Sequence, residues 1–168
     1  PANWSMLPNQ IQQDLMGNFY IGGDLAGTAN VDPYGMQQVY SLGGLTDGFL
    51  LKVDSLAHFQ WINLLPAYGH SYCLDIALDD AGKSWAIGSY TNNSPDFDPG
   101  PGTLIFSSVG LGAAFLVHYD HNGNFLHALN LGGNGTIQGM DIALAPDKSL
   151  YVCGRVSGTM DADPGPGT

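Results

Sequence analysis

The stretch "DIALDDAGKSWAIGSY" (residues 75–90) has the pattern of two short strands joined by a polar turn, and it has counterparts on both sides. The segments "IQQDLMGNFYIGG" (11–23) and "IALAPDKSLYVCG" (142–154) share its order of isoleucine, strand residues, polar turn, aromatic residue and closing glycine. The isoleucines of the three copies lie 65 and 66 residues apart. A fixed period of this size predicts a repeat architecture in which each repeat is one structural unit.

A second predicted hairpin repeats with the same spacing. The stretch "GFLLKVDSLAHFQWINL" (48–64) matches "AFLVHYDHNGNFLHALN" (114–130) at a distance of 66 residues. In the later copy, Asn122-Gly123 predicts a two-residue turn because both residues tolerate positive φ. The earlier copy has Leu56-Ala57 at that point, so the sequence predicts a different turn there.

Each repeat therefore contains four short strands, which is the content of a β-propeller blade. The predicted fold class is all-β, with about two and a half blades of four antiparallel strands forming part of a larger propeller. Blade 1 comprises 1–65, blade 2 comprises 66–131, and 132–168 supply the first hairpin of blade 3 and the start of its long loop. Propellers close with about 4–8 blades, so the expected partners are other blades of the same parent protein or other copies of the chain.

Composition excludes several classes of partner. The chain has 168 residues with 15 acidic and 4 basic side chains, a net charge of −11. Nucleic-acid binding needs clustered Lys and Arg to neutralise phosphates, so no nucleic-acid partner is expected. No apolar run approaches the ~20 residues that span a bilayer, so direct membrane insertion is not expected. Two cysteines are too few for a disulfide framework, and Cys73 and Cys153 are predicted to be buried free thiols.

These hairpins resemble the bacterial β-propeller repeats known as SBBP repeats. The resemblance is carried by "DIALDDAGKSWAIGSY", "GFLLKVDSLAHFQWINL", "FLVHYDHNGNFLHALNLGGNG" and the "DPGPGT" segment between the second and third strands. It implies a propeller within an exported, multidomain bacterial protein, at the cell surface or outside the cell. It carries no catalytic residues, so the expected role is non-enzymatic: structural, adhesive or protein-binding.

The acidic motif "DFDPGPGT" (96–103) has two interpretations. Pro presets φ at the second position of a β-turn and Gly supplies positive φ at the third, so two turns in sequence are predicted, with Asp98 capping backbone N–H groups. The alternative is a ligand-binding module in which Asp96 and Asp98, and in the last copy Asp161 and Asp163, hold Ca²⁺ through their carboxylates. Apart from calcium, no cofactor is expected.

The first copy of this motif favours the turn. It reads "NVDPYG" (30–35), so Asn30 replaces the first acid while Asp32 and Pro33 remain. What all three copies retain is the part that a turn needs. The sequence therefore favours the turn and leaves calcium as the alternative.

Other side chains have a structural and a functional interpretation, and the structural one is favoured for each. "GHSYC" (69–73) is similar to a nucleophile elbow at Ser71, but the motif needs a fifth-position Gly and a following helix. His118 and His127 are predicted to face each other across a hairpin, as a metal-binding pair or a plain cross-strand pair. Trp61, Trp85, Tyr90 and Phe97 form either a sugar-stacking surface or packing between blades.

Overall fold

The computed structural model describes residues 5–35, 38–40, 45–92, 96–108, 110–160 and 162. Within these ranges the chain contains strands and turns and no helix, so the all-β prediction is confirmed. The strands are β1 (Ser5–Gln13), β2 (Phe19–Ala26), β3 (Thr28–Asn30), β4 (Gln38–Tyr40), β5 (Asp47–Val53), β6 (Phe59–Leu65), β7 (Ser71–Leu78), β8 (Ser84–Tyr90), β9 (Ala113–Tyr119), β10 (Phe125–Leu131), β11 (Thr136–Leu144) and β12 (Leu150–Ser157).

The strands form two four-stranded antiparallel sheets followed by a hairpin. Sheet 1 has the order β1-β2-β5-β6, sheet 2 has the order β7-β8-β9-β10, and β11 pairs with β12. Each large sheet is thus built from two hairpins in chain order, as the repeat predicts. The small β3–β4 hairpin, inserted between β2 and β5, was not predicted.

The hairpin turns repeat as closely as the strands do. In the β9–β10 turn, Asp120 N donates to Asn124 O (2.9 Å) and Gly123 N donates to Asp120 O (3.0 Å). The Asp120 carboxylate also accepts hydrogen bonds from the backbone N–H groups of Asn122 and Asn124. The turn therefore spans residues 120–124, and the predicted two-residue turn at Asn122-Gly123 is wrong.

The β5–β6 turn has the same form, so the prediction of a different turn is also wrong. Asp54 N donates to His58 O and Ala57 N donates to Asp54 O, both at 2.9 Å. Ala57 takes a φ of 65°, in the left-handed region that Gly123 occupies in the other copy. The turn depends on an aspartate that caps two N–H groups and on one residue with positive φ, and alanine tolerates that conformation at a cost in strain.

A β-bulge recurs in the first strand of each unit. The pairing of β1 with β2, β7 with β8 and β11 with β12 shifts register at Asn9, Leu74 and Met140, which lie 65 and 66 residues apart. A bulge inserts one unpaired residue and bends its strand. The residues that follow the bulge are thereby directed toward the neighbouring sheet.

Two apolar layers hold the units together. Tyr20, Leu50 and Leu65 of sheet 1 pack with Cys73 and Ile76 of sheet 2 in one fully or nearly fully buried core. The other side of sheet 2 packs on the third hairpin through a second core. Burial of such side chains stabilises the fold by roughly 1.5–3 kcal/mol each, so the interfaces between units account for much of the stability.

The two cysteines differ. Neither forms a disulfide, and Cys73 is buried between the sheets, where burial raises the pKa of its thiol. Cys153 is exposed, so the prediction of two buried thiols is wrong for it. The reason is its position on β12, whose residues are largely exposed to solvent.

Candidate functional site

The backbone of the acidic loop after β8 is held by hydrogen bonds to the loop's own carboxylates. Asp96 Oδ1 accepts hydrogen bonds from the backbone N–H groups of Asp98 (3.1 Å) and Leu104 (2.9 Å). Asp98 Oδ1 accepts one from the N–H of Gly100 (2.8 Å). A Cβ atom on Gly102 would lie 2.1 Å from Asp98 Oδ2, so the aspartate occupies that space. The bond from Gly100 N to Asp98 is the backbone cap that the turn interpretation predicts. Gly100 and Gly102 do not take a positive φ, however, so the prediction of two successive turns with positive-φ glycines is wrong.

The first copy of the motif makes part of this pattern with an amide. Asn30 Oδ1 accepts from Asp32 N (2.9 Å), and Asp32 Oδ1 accepts from Tyr34 N (3.1 Å). A Cβ atom on Gly35, three residues after Asp32, would lie 2.1 Å from Asp32 Oδ2; in the second copy the glycine at this distance, Gly102, is four residues after Asp98. A neutral side chain therefore accepts the first of the two hydrogen bonds that Asp96 accepts, and that bond needs an acceptor and not a charge.

No group of three or more His, Cys, Asp or Glu side chains that could hold a metal ion occurs within the described ranges. Asp161 and Asp163, the predicted ligands of the last copy, lie outside the described residues. Calcium binding by Asp96 and Asp98 therefore stays a prediction.

The loop is anchored by Phe97, which lies between the two aspartates and is fully buried. Its ring packs against Tyr90, Phe106 and Phe115 at centroid distances of 6.1, 5.2 and 4.9 Å, and its carbonyl oxygen accepts a hydrogen bond from Tyr119 Oη (3.3 Å). Tyr90 is also fully buried. These two candidate sugar-stacking rings are core residues, as the packing interpretation predicts.

One repeat position links the first strands of successive units. Gln10, Asp75 and Asp141 directly precede the three repeated isoleucines and directly follow the bulge. Gln10 Nε2 donates to Asp75 Oδ1 (2.8 Å), and Asp75 Oδ2 accepts from the backbone N–H of Ile142 (2.9 Å). Each unit thus reaches the next through the same residue.

Asp75 and Asp141 also share a hydrogen bond between their side chains. Burial by itself raises the pKa of Asp75, but hydrogen bonds from Asp141, Gln10 and the Ile142 N–H outweigh it and hold that pKa below its usual range. The hydrogen bond to Asp75 and the charge of Asp75 raise the pKa of the exposed Asp141. Sequence reasoning missed these residues, although the polar residue before each isoleucine was a readable signal.

A row of three paired residues crosses sheet 1 and contacts the turns of sheet 2. Tyr20 pairs with Lys52, and Lys52 pairs with Trp61. Tyr20 Oη donates to Gly82 O (2.7 Å) in the β7–β8 turn. Lys52 Nζ (2.9 Å) and Trp61 Nε1 (3.2 Å) both donate to His121 O in the β9–β10 turn.

Lys52 is a buried cation with a structural role. It is 7% exposed, and its Nζ lies 4.9 Å from the centroid of the Tyr20 ring. Burial lowers the pKa of Lys52, while the charges of Asp14 and Asp120 oppose that shift. The turn carbonyl and the aromatic ring partly replace the hydration that the ammonium group loses. The row therefore attaches sheet 1 to the turns of sheet 2.

The corresponding row of sheet 2 consists of Trp85, His118 and His127. His118 pairs with both others, so the predicted facing of the two histidines is confirmed. The Trp85 and His118 rings are stacked with centroids 3.9 Å apart, and the two imidazoles meet edge to face at 5.1 Å. Burial, the neighbouring His127 and Lys83 lower the pKa of His118 to about 4. His118 is therefore neutral at pH 7, and the contacts within the row are aromatic packing. Metal binding by the two histidines stays a prediction.

Ser71 has a structural position. Its side chain is fully buried, and its Oγ donates to Leu65 O and accepts a hydrogen bond from Gly48 N. β7 begins at this residue and continues as a strand, without the strand-to-helix turn that exposes a nucleophilic serine. Ser71 thus ties β7 to sheet 1.

A scan against models of known protein families finds no match, and neither does a search of curated protein sequences. Among solved structures, a similarity is found to the "Crystal structure of the S-layer protein SbsC, domains 7, 8 and 9", at 9% sequence identity over 80% of this chain. The chain spans 61% of that structure's length, and the TM-score is 0.17. A score this low carries no argument about fold or function.

In the part of the chain that the structure describes, no helix is long and apolar enough to serve as a membrane span.

Proposed function

We propose that the chain is a run of β-propeller blades of the SBBP-like kind, and that it acts as a non-catalytic repeat module with a structural, adhesive or protein-binding role in a secreted or cell-surface bacterial protein. Blades 1 and 2 correspond to 1–65 and 66–131, and 132–168 begin a third. The repeat spacing and the motifs quoted above support this assignment.

The observation that carries the proposal is the linkage of the first strands. Gln10 bonds to Asp75, and Asp75 bonds to Asp141 and to the N–H of Ile142, so the same position joins three successive units. In a propeller the innermost strands of neighbouring blades lie beside one another around a central axis. A contact that recurs between first strands is what this arrangement requires.

The polar residues of the interior support a structural role. Lys52, Tyr20 and Ser71 each bond to backbone carbonyl groups that hold one sheet to the next. Catalysis needs titratable groups that converge on a substrate-sized pocket, whereas these groups are engaged in packing. The acidic surface, with a net charge of −11, suits a protein that stays dispersed outside the cell.

Labelling of intact cells tests the proposed location and role. An antibody raised against this chain should stain intact cells or detect the protein in the medium. Staining that requires permeabilised cells would contradict an extracellular module.

Electron microscopy of the assembled protein tests the architecture separately. The propeller proposal predicts a closed disc of about 4–8 sheets around an axis, and an open row of sheets would contradict it.

A further inference from the structure

The third hairpin has an unpaired edge where the complete sheets have a third strand. In sheet 1, β2 pairs with β5, and in sheet 2, β8 pairs with β9. β12 is the repeat equivalent of β2 and β8, and among the described strands it pairs with β11 alone. An unpaired strand edge offers backbone donors and acceptors to an incoming strand.

In each complete sheet, a phenylalanine of the third strand (β5 or β9) packs over a glycine of the second strand (β2 or β8). Phe49 pairs directly with Gly23, and Phe115 pairs directly with Gly88. A Cβ atom on Gly23 or Gly88 would lie 2.8 or 2.7 Å from the Cζ atom of the paired phenylalanine, so the ring occupies the space that glycine leaves open. Both phenylalanines are fully buried.

Gly154 occupies this position in β12, and among the described residues no aromatic ring is one of its nearest neighbours. The nearest atoms to a Cβ atom on Gly154 are backbone atoms of Gln138 and Gly139. Those contacts match the backbone contacts of Gly23 with Leu7 and of Gly88 with Tyr72. The site on β12 therefore has the same backbone form as the other two and lacks the aromatic ring.

The apolar side chains of β12 are exposed where their equivalents are buried. Tyr151 is 63% exposed and Val156 is 47% exposed. The residues at the same places in β2, Tyr20 and Leu25, are both 0% exposed. In sheet 2 the equivalents are Tyr90, which is 0% exposed, and Trp85, which is partly buried, so β12 presents apolar side chains that are more covered in the complete sheets.

We propose that β12 is an acceptor edge for an antiparallel strand that carries the Phe-Leu pattern of β5 and β9, supplied by the third and fourth strands of a further repeat. The phenylalanine of that strand packs over Gly154. The register of the complete sheets places a Gly or Ala opposite Arg155 and a Leu opposite Cys153. The inference rests on the proposed function and names its partner as a β-hairpin of the same repeat class.

Two features argue against a second copy of β12 as the occupant. The sequence of β12, "LYVCGRVS" (150–157), contains no phenylalanine, so pairing of two copies through β12 leaves the position over Gly154 unfilled. Each copy also carries a net charge of −11, which opposes association of like chains.

A synthetic hairpin tests the proposal with the chain as it exists. The probe is a fluorescent peptide with the sequence of residues 111–131, which contains β9 and β10, titrated against the whole chain by anisotropy. We expect saturable binding that Phe115→Ala in the peptide weakens by at least about tenfold, the scale of losing a buried aromatic anchor. The matched control is Leu126→Ala in the peptide, because Leu126 lies at the bulge of β10 and is 43% exposed. This change should leave affinity within about twofold.

Hydrogen exchange locates the bound peptide. Binding should protect the amides of β12 and leave those of the outer strands β6 and β10 unchanged. Protection of β6 or β10 instead, equal affinity of the native and Phe115→Ala peptides, or no binding at millimolar peptide would overturn the proposal. So would a dimer of the chain that exchanges slowly at β12 and is not displaced by the peptide.

A fusion keeps the test decisive if the free peptide self-associates. The same hairpin, joined after Thr168 by a flexible linker, should raise the melting temperature, and the phenylalanine-to-alanine change within the fused copy should remove the rise. Equal melting temperatures for the two fusions would overturn the proposal. A negative result in the binding or fusion experiments would not change the result of the cell-labelling experiment. The proposed partner of β12 and the proposed function are therefore tested separately.

Discussion

Sheet 1 and sheet 2 have one backbone plan and use different chemistry at the same place in it. In sheet 1 the row Tyr20, Lys52 and Trp61 donates three hydrogen bonds to carbonyl groups in the turns of sheet 2. In sheet 2 the equivalent row is a set of packed rings in which the Trp85 indole stacks on the His118 imidazole. The repeat therefore fixes the positions of side chains, while the chemistry at each interface is free to differ.

The two rows also differ in what covers them. The row of sheet 1 lies against two turns of the next sheet, at Gly82 and at His121. In sheet 2, Trp85 packs with the core shared with the third hairpin, and His127 is exposed. Residues at equivalent positions of the two repeats should therefore contribute different amounts to the free energy of unfolding.

The largest expected difference is between Trp61 and its equivalent, His127. Trp61→Ala removes an indole that packs on Gly123 and Tyr20 and donates to His121 O. We expect a loss of about 2–4 kcal/mol in the free energy of unfolding, since Trp61 is half-buried and large-to-small changes cost about this much. Urea denaturation measures it.

The control for this comparison is His127→Ala, which should cost less than about 1 kcal/mol because the side chain is exposed. Equal losses for the two variants would show that the two rows contribute alike and would contradict the comparison.

A smaller effect is expected from Tyr20→Phe. The change removes the hydrogen bond from Tyr20 Oη and leaves the buried carbonyl of Gly82 without that donor. We expect a loss of about 1–2 kcal/mol. Tyr151→Phe, at the same repeat position on the exposed β12, should change stability by no more than about 0.5 kcal/mol. An unchanged melting temperature for Tyr20→Phe would show that the hydrogen bond from Tyr20 to Gly82 does not stabilise the fold.

The row of sheet 2 should make stability depend on pH. The pKa of His118 is lowered to about 4 in the folded protein, against an ordinary value of 6.5. The unfolded chain therefore takes up a proton below pH 6.5 that the folded chain does not, and stability falls as the pH falls from 6.5 toward 4. Melting temperatures at pH 6.5 and 5 measure this fall. His118→Gln should reduce it, and an unchanged fall in that variant would exclude His118 as its source.

The smallest expected effect concerns the acidic loops. In the first copy Asn30 accepts the first of the two hydrogen bonds that Asp96 accepts in the second, and an amide oxygen has the capacity to accept both. Asp96→Asn should therefore change stability by no more than about 0.5 kcal/mol. Asp96→Ala leaves the N–H groups of Asp98 and Leu104 without their acceptor and should cost about 0.5–2 kcal/mol. Equal losses for the two variants in urea melts would show that the charge matters and would favour calcium.

A calcium titration separates the two interpretations of the loop directly. As a turn device, the loop should leave the melting temperature unchanged up to tens of millimolar calcium. A calcium site would stabilise the fold by about 2.7 kcal/mol at a hundredfold excess over its Kd. A rise in melting temperature that a chelator reverses and Asp98→Asn abolishes would establish the site.

The strand plan was predictable because strand and turn signals recur. Three copies of one hairpin and two of another, in a fixed register, predict the same strands wherever they occur, and β7 to β10 follow the predicted pattern closely. The turns were mispredicted because Asn122-Gly123 is a strong local signal for another turn. The capping aspartates at Asp54 and Asp120 decide the turn instead, and they allow Ala57 a conformation that alanine on its own disfavours.

The candidate site was less predictable. Counting residues outward from a two-residue turn predicts that His118 faces His127. The observed turn is one residue longer, but the bulge at Leu126 shifts the pairing back by one residue, so the two histidines still pair. The link from Gln10 to Asp75 joins residues of different sheets. The polar residue before each repeated isoleucine marks Gln10 and Asp75 as equivalent positions, but no local pattern shows that their side chains are in contact.

The sequence by itself determined the strands, their order within each unit and the period of the repeat, because alternating side chains and turn residues act over a few neighbouring positions. The tertiary structure decided which turn carbonyl receives Lys52 and in which directions the pKa values of Asp75 and Asp141 move. These depend on how the sheets pack. Hydrogen bonds, burial and pKa shifts arise between residues more than sixty positions apart, and only the packed sheets bring those residues within reach.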